Sequence, residues 1–207
     1  MEKLSSTRKR WTLILRSIAI TVILLVGFAA VLILRPENRL ISDPGLTQIC
    51  ASDATPAPFT ATIESTGAIF PCQPTRYTVQ TSTPIGNIPI VYYASDVGSS
   101  HYEIMVADYG SVFSGDLTGI LRGIVLDRTK ASTLDEFQVT EKSTSAISMN
   151  DLSGSLITAE NATRAARIKL YAVGKKLYRI SVLAPLDQIN DPRYTAFLDS
   201  FTITVSP

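Results

Sequence analysis

The sequence predicts an α+β protein, an antiparallel sheet with helices packed on it, preceded by one transmembrane helix. Three observations carry this. Beyond residue 75 most of the chain alternates apolar and polar residues in short runs rich in Val, Ile, Tyr and Thr, the period of half-buried strands. Two segments, near 117–128 and 191–201, replace that period with helical spacing. Near the N-terminus, residues 17–34 (SIAITVILLVGFAAVLIL) carry no charge.

As a helix that uncharged run spans about 27 Å, close to the ~30 Å hydrocarbon core of a bilayer. Starting at Trp11 and ending at Leu34 adds more than a turn, with Arg16 able to reach the headgroups and Trp11 suited to the interface. The alternative is a cleaved signal peptide. The run is longer than the usual 7–15 or so residues, and VLIL continues past the small pair Ala29-Ala30, which favours an uncleaved anchor in the lipid bilayer. Five Lys and Arg precede the run and only Arg35 and Arg39 closely follow it, so the N-terminus stays cytoplasmic and the rest faces outward. The organisation is then a cytoplasmic tail over 1–10, a signal-anchor helix over 11–34, an extracytoplasmic linker over 35–58 and a folded domain over 59–207.

The formal net charge of +1 divides unevenly. Residues 1–41 hold seven Lys and Arg against two Glu, and residues 42–207 hold twelve against sixteen Asp and Glu, which is +5 and −4. A mildly acidic domain offers no electrostatic footprint for nucleic acid. The two cysteines, Cys50 and Cys72, both lie beyond the anchor, where an oxidising compartment permits a disulfide. Two free thiols or two metal ligands are the other readings, and a metal site needs more Cys or His than a chain with one His provides.

The elements follow in order. The linker is rich in proline and without period, and the fold begins near FTATIE at 59–64. RYTVQT at 76–81 is a strand, residues 83–87 a turn and IPIVYYAS at 88–95 a second strand, in which Pro89 cannot donate to a ladder and so belongs at a start or an edge. DVGSS at 96–100 is a hairpin loop leading into HYEIMVADY at 101–109. Leu117, Ile120, Leu121 and Ile124 then form the stripe of an amphipathic helix facing the sheet, with Ser114 or Asp116 as N-cap, and Gly119 and Gly123 allow close approach to the sheet. Segments 137–142, 154–160 and 162–173 read as further strands. Gly174-Lys175 turns the chain into the strand 177–184, and Asp191-Pro192 opens a short helix bearing Tyr194, Phe197, Leu198 and Phe201, followed by a tail strand at 202–205.

Several stretches together, ARIKLYAVGKKLYRISVLAP at 166–185, AFLDSF at 196–201, YEIMVADY at 102–109 and the helix LTGILRGIVLD, resemble the PsbP-like family, named after a lumenal extrinsic subunit of photosystem II. The resemblance covers about residues 75–205 in a membrane-anchored, bacterial-type form. It implies an α-β-α sandwich and a non-catalytic accessory subunit docking onto a larger complex. It transfers no binding or catalytic residue, because the matched positions are structural, and the anchor departs from the photosystem subunit, which is soluble in the lumen.

The residues offer little chemistry of their own. His101 is the lone histidine, so any Ser–His or Cys–His scheme must use it, and no nucleophile elbow, zincin motif, Walker loop or dinucleotide fingerprint is present. His101 and Glu103 share one side of a strand and, with Asp96 or Asp108, are weak candidates for a metal site, set against an ordinary surface histidine. Asn161-Ala162-Thr163 is a glycosylation sequon, relevant in a eukaryotic secretory pathway. The candidate docking face is the cationic and aromatic side of the hairpin, Arg167, Lys169, Tyr171 and Arg179 with Lys175 and Lys176 at its turn, residue types enriched at interfaces. That side is otherwise a solvated sheet face or one covered by the helix. No cofactor is implied. The expectation is an extracytoplasmic, non-enzymatic accessory or assembly module bound to a membrane protein complex, with a small-ligand or metal-binding sensor as the alternative.

Overall fold

The computed structural model describes residues 48–51, 55–61, 64–83 and 86–204. The expected tail, anchor and most of the linker lie outside them. Among the described residues no helix is long and apolar enough to cross a membrane.

Eight strands form the main sheet: β1 (Gln48–Cys50), β4 (Thr75–Thr83), β5 (Gly86–Val97), β6 (Ser100–Asp108), β7 (Thr140–Met149), β8 (Leu152–Glu160), β9 (Arg164–Val173) and β10 (Lys176–Pro185). Their order is β5-β6-β10-β9-β8-β7, with β4 and β1 sharing the free edge of β5. Every pairing is antiparallel except that of β1 with β5, so the sheet is mixed rather than wholly antiparallel. No tight turn joins β1 to β5, which frees β1 to run parallel, and a disulfide from Cys50 to Cys72 holds it there, Cα to Cα 5.9 Å. A second, three-stranded sheet, β2 (Ala57–Ala61), β3 (Thr66–Phe70) and β11 (Thr202–Ile203), was not legible in the sequence.

Tight turns set the registers. Gly98 and Gly174 adopt φ of +58° and +57° in the β5–β6 and β9–β10 turns, and Asn150 and Asp151, at +47° and +65°, make the β7–β8 turn. Pro89 pairs with Gln80 of β4 one residue before the β6 ladder starts at Ile90, so its missing N–H faces no neighbour on that side.

Helices α1 (Gly119–Phe137) and α2 (Pro192–Ser200) lie on opposite faces of the main sheet. Asp191 caps α2 by accepting from the Arg193 amide at 2.9 Å, with Pro192 at the first position as the sequence implies. Helix α2 and the small sheet cover one face through Phe70, Tyr194, Phe197, Leu198 and Phe201, packed on Tyr93, Tyr102, Ile104, Tyr171, Tyr178, Ile180 and Val182. Gly154 lies under Tyr171, where an added Cβ would come within 2.5 Å of the ring.

Helix α1 departs from expectation at both ends and in phase. Leu117 precedes it, buried, with its amide donating to the Gly174 carbonyl at 2.7 Å, and Thr118 stands at the N-cap rather than Ser114 or Asp116. The stripe divides, with Leu117 and Leu121 packed on the core and Ile120 and Ile124 turned outward. Ile120 and Ile124 are 84% and 42% exposed, and Val125, Thr133 and Phe137 face inward. Gly123 meets nothing within 4 Å of an added Cβ, so it does not serve approach to the sheet. The segment 137–142 is not a strand throughout, because the helix runs on to Phe137 and ends where Gln138 takes the left-handed conformation at φ 55°. The amides of Gln138 and Val139 then return to the carbonyls of Asp135 and Leu134. Gln at a position usually held by Gly concealed that stop.

Replacing both cysteines by serine should lower unfolding free energy by roughly 3 kcal/mol in the chain-entropy model, read from denaturant midpoints of the full chain. Equal midpoints for parent and variant would show that the bridge constrains nothing.

Candidate functional site

Charge is concentrated where strand alternation places polar side chains under α1. On β10, Leu177, Arg179, Ser181 and Leu183 point to the helix side, and their neighbours on β6 are Ala107, Met105, Glu103 and His101. Arg179 is 2% exposed. Its Nη2 donates to Glu103 Oε1 at 2.5 Å, and its Nη1 donates to Glu136 Oε2 at 2.6 Å and Thr133 Oγ1 at 2.9 Å. The guanidinium carbon sits 5.5 Å from the centre of the Phe137 ring. From Glu103 the line continues to His101, whose Nε2 is 3.6 Å from Glu103 Oε2 and whose Nδ1 is 2.6 Å from Asp96 Oδ1. The result is one chain of charges, Asp96–His101–Glu103–Arg179–Glu136, sealed in the middle and open at Asp96 and Glu136. Tyr77 and Tyr92 stack at 4.8 Å on the same face of β4 and β5.

Environment fixes the protonation states. Burial by itself would depress the His101 pKa. Its hydrogen bond to Asp96 and the Glu103 carboxylate beyond overcome that and push it up to about 9. Burial pushes the Glu103 carboxyl up, but the charges of Arg179 and His101 outweigh it and hold the group well below the usual carboxylate range. Glu136 goes the other way, raised by burial and by the Glu103 charge against the pull of Arg179. At neutral pH His101 is therefore an imidazolium between two carboxylates, with no lone pair to accept a proton. Glu103 is bound by a guanidinium rather than open to a cation, and Asp108, the other acid considered for a metal, accepts from the Gly110 amide at 2.8 Å. Among the described residues no group of three or more His, Cys, Asp or Glu is arranged to hold a metal ion.

The six residues of the expected docking face do not share one. Pairing places Arg167, Lys169 and Tyr171 opposite Val182, Ile180 and Tyr178, on the side covered by α2, while Arg179 points to the other side under α1. Arg167 donates to Thr195 Oγ1 and Asn190 Oδ1 at 3.0 and 2.9 Å. Lys169 binds the Leu198 carbonyl and the Asp199 carboxylate at 3.0 and 2.7 Å. Tyr171 is 2% exposed, and Lys175 and Lys176 are half-buried at the turn. Cations on β9 thus fasten α2 to the sheet. Alternation gives the right faces within each strand, but the pairing of Tyr171 with Tyr178 puts Arg179 on the opposite side from the β9 cations.

Residues not singled out in the sequence complete the polar framework. Glu64, 5% exposed, accepts from Tyr93 Oη at 2.6 Å and from Arg76 Nη2 at 3.0 Å, and its carbonyl accepts from Tyr178 Oη at 3.1 Å. Thr133 and Glu136, one helical turn apart, would have been readable as partners of a strand arginine once the helix was extended to Phe137. Between the small sheet, Tyr102 and α2 lies a cavity of about 120 Å³ lined by Ala51, Ile69, Val97, Tyr102, Arg193 and Phe197 among others.

Removing one partner strands the others. Arg179→Met should cost about 3–5 kcal/mol, and adding Glu103→Gln and Glu136→Gln should restore more than half of that; additive losses in the triple variant would refute the network. The His101 pKa is raised above its unfolded value near 6.5, so its stabilisation is complete below that pH and fades as pH rises through about 9. Unfolding free energy should fall by up to about 3 kcal/mol between pH 6.5 and 10 beyond any fall in His101→Gln. Parallel profiles for the two proteins would exclude this.

No protein-family model matches the chain, and no curated protein matches it. Among solved structures it is similar to the solution structure of cyanobacterial PsbP (CyanoP) from Synechocystis sp. PCC 6803, at 13% sequence identity and a TM-score of 0.51, over 73% of this chain and 94% of that one. The described domain has a PsbP-like fold.

Proposed function

We propose that the protein is a single-pass membrane protein whose extracytoplasmic domain is a non-catalytic accessory or assembly module for a neighbouring membrane protein complex. The PsbP-like fold is the observation that supports this best, because the accessory habit implied by the sequence resemblance now has a matching architecture. The uncharged run at 17–34, with its basic N-terminal flank, supplies the anchor and the orientation. The setting of His101, with Nδ1 2.6 Å from Asp96 Oδ1 and the Glu103 carboxylate on its other side, also favours a structural rather than a catalytic histidine. The other reading, a small-ligand or metal-binding sensor, draws support from the apolar cavity beside Tyr102.

The test is purification of the full chain from native membranes in mild detergent. A defined complex with an integral membrane protein is expected. A chain that purifies alone, and gains thermal stability from a small apolar molecule, would replace this reading with the sensor.

A further inference from the structure

Helix α1 turns one side to the sheet and leaves the other uncovered. Along that outer side run Ile120, Gly123, Ile124, Asp127, Ala131 and Asp135, every one exposed. Successive α-helical residues are about 100° apart, so these six fall on one strip roughly 24 Å long. Ile120 and Ile124 are two of the four large apolar side chains exposed among the described residues. Gly123 is unfavourable inside a helix, and open space around it shows that nothing within the domain requires it. What a glycine does provide at an exposed helical position is room for another backbone to come close.

The charge on the strip has one sign. Asp127 and Asp135 make no ion pair among the described residues. Two cations of the same helix are engaged off the strip, and the third, Arg128, stands beside it. Arg122 donates to the Ser153 carbonyl at 2.5 Å, Lys130 pairs with Glu141 at 3.2 Å, and Arg128 is half-buried at the border of the strip. The outer side therefore has an apolar, glycine-notched N-terminal half and an acidic C-terminal half.

We infer that this strip is the surface through which the accessory module docks, and that its occupant is a cationic amphipathic helix of the partner protein. Apolar and small side chains of that helix lie over Ile120, Gly123 and Ile124, and its Lys or Arg side chains meet Asp127 and Asp135. The inference rests on the accessory-module reading and adds the partner's chemistry. A second copy of this chain is a poorer fit in either direction: parallel strips set aspartate against aspartate, and antiparallel strips set aspartate against isoleucine. An anionic membrane surface would be repelled by the same aspartates.

The experiment uses the full chain in native membranes and three variants, Ile120→Asp/Ile124→Asp, Gly123→Leu and Asp127→Lys/Asp135→Lys, with Lys175→Glu/Lys176→Glu for comparison. All six strip positions are exposed, so folding is retained and is checked by thermal melting. Recovery of the complex should fall at least tenfold in each strip variant and stay unchanged in the hairpin-turn variant. The parent complex should weaken as salt is raised, and Asp127→Asn/Asp135→Asn should flatten that dependence. A photo-crosslinker at position 124 should map to a basic helical segment of the partner. Undiminished recovery in the strip variants, loss in the hairpin-turn variant instead, or cross-links to lipid or to a second copy each overturn the inference while leaving the accessory reading in place. Absence of any complex with the parent chain overturns both.

Discussion

Burying the guanidinium of Arg179 is the constraint on which the helix-covered half of the molecule depends. A cation sealed within a sheet is tolerated only where carboxylates and hydrogen-bond acceptors replace its water. Glu103 on the adjacent strand supplies one carboxylate at fixed register, and the other must come from whatever covers the sheet. Helix α1 meets that need with Glu136 and Thr133 in its last turns, and Phe137 lies against the guanidinium. The length of α1, its stop at Gln138 and the phase in which it lies on the sheet are therefore linked to one side chain on β10. The ionic chain also divides the helix-side core. On β10 itself, Arg179 and Ser181 stand between Leu177 of one apolar cluster and Leu183 of the other.

The opposite face is held by different physics. Aromatic rings do most of the covering, with Phe197 4.9 Å from Phe70 and 5.3 Å from Tyr102, both edge to face. Charges there stand at the margins and act as fasteners, Lys169 to Asp199 and Arg76 to Glu64. Because α2 is short, its two anchoring cations on β9 and the Ser200 hydroxyl that accepts from the Ile69 amide fix its position between the main sheet and the small one. A sheet covered on both faces leaves its outer helix side and its edges as surfaces on which another protein can act.

How much of this was legible in the sequence depended on whether the information was local. Period-two alternation located most of the main-sheet strands, Gly174-Lys175 located the hairpin turn, and Asp191-Pro192 located the start of α2, because each signal is complete within a few residues. Register between strands is not local. Alternation groups Arg167, Lys169 and Tyr171 with Arg179, since all are polar-face residues of their own strands, yet Arg179 pairs across from Leu170, an inward neighbour of theirs. The three-stranded sheet escaped notice because β11 and β3 are more than 130 residues apart, and the parallel β1 because it is three residues long. Glu136 carried no signal at all until the helix end was known, since a carboxylate in a helix is ordinarily at the surface.

Helix α1 shows what a helical stripe leaves open. Leu117, Ile120, Leu121 and Ile124 follow helical period, and such a stripe states that one side of a helix is to be covered without saying by what. Leu117 and Leu121 are indeed taken up by the domain's own core, whereas Ile120 and Ile124 turn outward. An apolar pair on the outer side of a helix, with a glycine beside it and aspartates beyond, is the combination that a second helix of opposite charge would fit. The same four residues thus divide between two sides of the helix, one folded within this chain and one left at its surface.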